Sequence, residues 1–159
     1  MRYLTIFILF FITNYANAQV KTLSLNELNQ RITKGNDTTY VINFWATWCG
    51  PCVDELPSFE KLQLENKNKP FKVILMSLDF KSKLKSEVIP FVQKNKIQTE
   101  VYVIQETDQQ AFIDHVDKKW SGTIPATLFF NNQKQIRLFY ERPFATYKEL
   151  TNKVASLKL

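Results

Sequence analysis

With 159 residues, 45% of them hydrophobic and 14% aromatic, the chain can bury one domain-sized core without help from cross-links. Its formal charge of +6 comes largely from lysines scattered through residues 67–72, 81–85 and 94–96, among polar and apolar neighbours. That is the pattern of a solvated surface, so composition excludes a nucleic-acid stripe and no nucleic-acid partner is expected.

Residues 1–18 are set apart from the fold. Arg2 gives a positive start, residues 4–12 an apolar run, and Ala16-Asn17-Ala18 an A-x-A site before Gln19, the layout of a cleaved secretory signal. Even residues 3–15 fall short of the roughly 20 needed to cross a bilayer, although an uncleaved membrane tether is the alternative. The expected organisation is a signal peptide over 1–18 and a single domain over 19–159.

Within that domain, Ser24-Leu25-Asn26-Glu27 is a capping-box pattern, and Leu25, Leu28 and Ile32 repeat at helical spacing as far as Gly35. Residues 39–46, TYVINFWA, read as a buried strand that leads within two residues into Cys49-Gly50-Pro51-Cys52. A helix follows to about Asn66, with Leu56, Phe59, Leu62 and Leu64 as its apolar positions and a kink expected at Pro57. Residues 71–78 form the next strand, residues 82–95 a helix bent near Pro90, and residues 101–104 a short strand. Thr107 to Gln110 repeats the capping pattern ahead of Ala111, Phe112 and Val116. Residues 126–130 and 135–140 make two strands joined by a turn, and Thr146 caps a last helix to about Leu157. Strands alternating with helices and ending in a hairpin predict an α/β fold: a mixed sheet, parallel at its centre, with helices on both faces.

The two cysteines, Cys49 and Cys52, close a loop of only two intervening residues, which constrains an unfolded chain little. Placed after a strand and at the opening of a helix, both sulfurs meet unpaired backbone N–H groups and the positive end of the helix dipole, which favours a thiolate. Cys49, the outer residue, is the better nucleophile, and Cys52, three residues on, suits the resolving role. Pro51 loses no helical hydrogen bond in a first turn and, with Gly50, sets the geometry between the sulfurs. Trp48 shields one side of the site or simply packs. Glu55 lies on the same helical face as Cys52; it either complements the dipole or, if desolvated, takes a proton from that thiol. Asp54 points elsewhere. His115, the only histidine, reads as a surface residue, Trp120 as core or site lining, and Phe44, Phe129, Phe130 and Phe139 as core.

The stretch VINFWATWCGPCVDELPSF resembles the thioredoxin fold and, more narrowly, the exported TlpA/ResA-like thiol-disulfide oxidoreductases of bacteria. Thr123-Ile124-Pro125-Ala126-Thr127 is similar to that family's cis-proline segment. The resemblance implies that Pro125 is cis and packs against the disulfide, and that the backbone of Ile124 pairs with an extended client segment. Without it, Pro125 reads as a trans proline at a strand start. Thioredoxins carry a buried aspartate where this chain has Asn43, and the resemblance gives its proton-accepting role to Glu55.

On this reading the protein is an exported oxidoreductase of the periplasm or cell envelope, a monomer whose redox centre is the Cys49–Cys52 disulfide, with no dissociable cofactor and no metal. Its partners would be protein disulfide or dithiol clients, among which the resemblance places those of cytochrome c maturation, and a membrane electron donor. Gly50-Pro51 matches reducing thioredoxins and tilts the direction towards disulfide reduction; an envelope thiol oxidase is the alternative. A non-enzymatic copper-binding chaperone is a further one, since two thiolates suit Cu(I). A peroxidase is disfavoured because Cys49 lacks the preceding proline and threonine of such sites.

Overall fold

Ser24 opens α1 (Leu25–Lys34) as expected: its hydroxyl accepts from the Glu27 N–H, and the Glu27 carboxylate accepts from the Ser24 N–H at 2.8 Å. A Cβ on Gly35, at the end of this helix, would run into the buried ring of Tyr40. The computed structural model describes residues 20–106 and 108–157. The signal reading of residues 1–18 and the capping role of Thr107 lie outside them. The side-chain cap seen on α4 (Gln109–Val116) is Asp108, whose carboxylate accepts from the Ala111 N–H at 3.0 Å. Thr146 caps α5 (Tyr147–Ser156) through the Glu149 N–H.

The long helix α2 (Gly50–Glu65) runs through Pro57 and buries Cys52, Glu55, Leu56, Phe59 and Leu62, whereas Leu64 is exposed. The helix expected over 82–95 is instead a 3-10 turn (Lys81–Lys83), a π-helical turn (Leu84–Val88) and the short α3 (Ile89–Lys94). Pro90 explains the break. It has no N–H to give to the preceding turn and is tolerated only near a helix start, where it sits in α3.

Six strands, β1 (Lys21–Leu23), β2 (Thr39–Trp45), β3 (Phe71–Ser77), β4 (Glu100–Ile104), β5 (Ala126–Asn131) and β6 (Ile136–Tyr140), form one sheet in the order β1-β4-β3-β2-β5-β6. The first four in that order run parallel, and β5 and β6 pair antiparallel. The mixed sheet is the one expected; β1, only three residues long, was not anticipated.

Alternation along β2 sorts its side chains between two cores. Val41 and Trp45 face α2 together with Val73, Leu75 and Phe129, while Ile42 and Phe44 face the other side with Leu28, Ile32, Phe112 and Trp120. Among the described residues, no helix is long and apolar enough to cross a membrane.

Candidate active site at the start of the long helix

The connection from β2 to α2 is a single tight turn in which the Cys49 N–H donates to the Ala46 carbonyl at 3.1 Å. Asp79, just beyond β3 and only 2% exposed, pins it from the side. Its carboxylate accepts from the Thr47 N–H at 3.0 Å, the Thr47 hydroxyl at 2.6 Å and the Ser77 hydroxyl at 2.7 Å. Reasoning on the sequence passed over Asp79; an acid directly after a buried strand was its one signal.

Cys49 is the N-cap residue of α2 and Pro51 lies in the first turn. The two sulfurs form a disulfide, with Cα atoms 5.3 Å apart. Cys52 is fully buried while Cys49 keeps 7% of its surface, which makes Cys49 the sulfur that a second molecule can reach. Cys49 offers the helix no side-chain cap. The first N–H groups of α2 therefore point towards the sulfurs' end of the helix, where they favour a thiolate once the bond is reduced. Gly50 is exposed and a Cβ there would meet open space, so this residue leaves the approach to Cys49 clear. Trp48 stands out at 68% exposure, so it flanks the disulfide without covering it.

A second loop completes the rim. The Ile124–Pro125 bond is cis, as the resemblance implied, and the Ile124 carbonyl oxygen lies 3.8 Å from Cys49 Sγ. Glu141, just after β6, holds this loop by accepting from the Ser121 N–H at 3.0 Å, the Thr123 N–H at 3.2 Å and the Ser121 hydroxyl. From the core side, the Trp120 indole N–H donates to the Thr123 carbonyl at 2.8 Å. Trp120 is thus a core residue, packed edge-on to Phe112 and tilted against Phe44 and Phe139, that also anchors the site. Gly122, at φ +87°, adopts a backbone that side chains resist, and a Cβ there would come within 3.0 Å of Ile113.

Glu55, one turn along α2 from Cys52, is 3% exposed. Asn43 Nδ2 donates to Glu55 Oε1 at 2.8 Å and to Thr127 Oγ1 at 3.2 Å, and the Phe144 N–H donates to Glu55 Oε2 at 2.8 Å. Burial pushes the Glu55 carboxyl up to about 7; the bonds from Phe144 and Asn43 oppose that rise, and the Glu149 charge adds to it. Asn43 therefore does not stand in for an acid but serves one. Phe144 was invisible to sequence reasoning, because a backbone donor 89 positions away leaves no local pattern.

Asp54 is exposed, as is His115, whose Nε2 lies 2.8 Å from the Asn29 amide, on the α1 side of the molecule. Phe44 and Phe129 are core, while Phe130 and Phe139 are half-buried against it. Among the described residues, no three histidine, cysteine or acidic side chains gather as a metal-ligand set.

Comparison with known proteins agrees with this architecture. The chain is 41% identical over 68 residues to the thioredoxin-like protein YneN of Bacillus subtilis, covering 43% of this chain and 37% of that one. It is 46% identical over 39 residues to the thiol-disulfide oxidoreductase ResA of Oceanobacillus iheyensis, covering 24% of this chain and 20% of that one. These matches span well under half of the relatives' lengths. Among solved structures, a thioredoxin-related protein from Neisseria meningitidis superposes with a TM-score of 0.64 at 20% identity, over 77% of this chain and 87% of that one. StoA from Bacillus subtilis superposes with 0.56 at 21%, over 75% and 84%. Those likenesses establish a thioredoxin-like fold. Residues 9–139 match the AhpC/TSA family, and the chain belongs to that family.

Proposed function

We propose that the protein is a thiol-disulfide oxidoreductase that reduces protein disulfides through Cys49 and Cys52. The observation that carries this reading is a disulfide at the start of α2 in which Cys49 keeps a small accessible surface and Cys52 none, with a buried carboxyl near neutrality one turn further along.

In the reduced protein, the Cys49 thiolate attacks one sulfur of a client disulfide. A bond forms between Cys49 Sγ and that sulfur, and the client's other sulfur leaves as a thiolate that takes a proton from water. Cys52 then gives its proton to the Glu55 carboxylate and attacks Cys49 Sγ, so that the Cys49–Cys52 disulfide forms and the second client thiolate departs. Two electrons have passed from the cysteine pair to the client, and a dithiol donor must return them.

Asn43 suits both states of Glu55. Its Nδ2 serves the carboxylate, and its Oδ1, without a partner among the described residues, can accept from the protonated acid after a turn of the amide. Ile124, beside Cys49, would align the client backbone by strand pairing, and Trp48, Gly50, Pro51 and Pro125 frame the approach.

The signal pattern of residues 1–18 supports export to the periplasm or cell envelope, where a membrane protein would be the electron donor. The resemblance to TlpA/ResA-like proteins supports oxidised apocytochrome c among the clients, a monomeric state, and a centre that needs no cofactor beyond the disulfide.

The test is trapping. Reduced Cys52→Ser protein mixed with a disulfide-bonded client should accumulate a one-to-one covalent adduct through Cys49, visible in non-reducing electrophoresis and mass spectrometry. Cys49→Ser should form none and should lose turnover. Full reductase activity in Cys49→Ser would overturn the mechanism.

A further inference from the structure

Glu149, in the first turn of α5, holds three pieces of chain at once. Its Oε1 accepts from the Tyr140 hydroxyl, at the end of β6, at 2.7 Å and lies 3.6 Å from the Arg142 guanidinium. Its Oε2 accepts from the Ala145 N–H at 3.0 Å, in the loop of residues 141–146 that joins β6 to α5. An acid three residues after a hydroxyl N-cap ordinarily folds back onto the cap's own N–H, as Glu27 does on Ser24 in α1. Glu149 instead takes the N–H one residue earlier and a hydroxyl from another element, so a capping role does not account for these bonds.

The loop that Glu149 holds carries the Phe144 N–H, which donates to Glu55 Oε2 at 2.8 Å. The Phe144 ring packs edge-on to Phe59 and Phe129 and lies flat on the Tyr140 ring, with centroids 4.5 Å apart. Tyr140 is thus engaged by Phe144 through its ring and by Glu149 through its hydroxyl. Arg142 and Lys153 lie 4.9 and 5.1 Å from the centre of the same ring. On α2, Glu65 accepts from the Tyr147 hydroxyl and pairs with Lys61, and Glu141 is bonded to Ser121 and Thr123. Among the described residues, Glu149 is the charged group whose field reaches Glu55.

We propose that Glu149 is a positioning residue for proton transfer from Cys52 to Glu55, clamping the 141–146 loop so that the Phe144 N–H stays on the Glu55 carboxylate. The proposal rests on the exchange reading above and adds the residue that sets its proton acceptor. Glu149 acts on Glu55 in two opposed ways. Through the loop it supplies an N–H that favours the carboxylate, and through its own charge it disfavours that form; the N–H is the larger effect. Freeing the loop should therefore move the Glu55 titration up, and removing only the charge should move it down.

The test titrates Glu55 in the oxidised protein by NMR of isotope-labelled glutamate, with its resonance assigned by its loss in Glu55→Gln. The wild-type protein should show a midpoint at about 7. Glu149→Ala should raise that midpoint by about one unit, the scale of one N–H bond to a carboxylate less the charge removed. Glu149→Gln keeps an acceptor for the loop but not the charge, and should lower it by about half a unit. The Cys52 step, followed as release of the second client thiol in a single turnover, should move with it. Glu149→Ala should be about fivefold slower than the wild-type protein at pH 7 and come within about twofold of it near pH 9, as expected when an acceptor's midpoint rises by about one unit.

A midpoint that rises in Glu149→Ala and not in Glu149→Gln supports the clamp. Equal shifts in the two variants, no shift in either, or a fall in Glu149→Ala would overturn it. The titration needs no turnover, so the two readings fail separately. Equal midpoints alongside a trapped Cys52→Ser adduct would remove the clamp alone, whereas absence of the adduct would remove the exchange reading and the clamp's part in it.

Discussion

Glu55 concentrates the chemistry of this site in one buried side chain. Its carboxyl stands at about 7 against an ordinary 4.5. Between those values the folded protein holds a proton that the unfolded chain has released, so stability falls as pH rises from about 4.5 to about 7, and the loss is complete above that. The gap corresponds to about 3 kcal/mol. Glu55→Gln, which cannot ionise, should match the wild-type protein at pH 4.5 and exceed it by about 1–3 kcal/mol at pH 8, measured by urea unfolding of the oxidised form. The same variant should slow the Cys52 step at neutral pH and flatten its pH–rate profile; an unchanged profile would leave Glu55 with a dipole role only. Spacing made Glu55 legible in the sequence, since position 55 shares a helical face with Cys52. The environment that tunes it was not legible, because Asn43 and the Phe144 backbone reach it only after the sheet and the last loop have come together.

The elements that carry the cysteines are held by two acids that the sequence did not mark. Asp79 fixes the turn before Cys49, and Glu141 fixes the loop that presents Ile124. Asp79→Ala leaves the Thr47 N–H and two hydroxyls without their acceptor in a buried place, and should cost about 1–3 kcal/mol by urea unfolding. Asp79→Asn, which keeps one oxygen, should cost less. Glu141→Ala should leave overall stability within about 1 kcal/mol, since its partners are exposed, yet raise KM for peptide disulfides by loosening the loop. Helices announced by side-chain caps were legible: α1 and α5 begin where Ser24 and Thr146 place them. The segment through residues 81–94 was not, because apolar spacing there is compatible with 3-10, π and α turns alike, and Pro90 decides between them only in three dimensions. Nor was β1, whose three residues become a strand only by pairing with β4.

Across the whole molecule, the site gathers at the end of β2, where the sheet changes from parallel to antiparallel pairing. Residues 43–55, 77–81, 120–125 and 141–144 converge there, so the α/β order and the C-x-x-C spacing could be read locally while the site's walls could not. The same convergence gives the protein a reactive sulfur, a resolving sulfur and a proton acceptor in the first turns of α2. What the molecule does with them depends on which way electrons flow. Equilibrating the protein with defined thiol buffers and quantifying the Cys49–Cys52 bond by alkylation and mass spectrometry measures that directly. The account predicts a potential near that of a reducing thioredoxin, roughly −270 mV, whereas a value near roughly −120 mV, that of a strong oxidant, would contradict it.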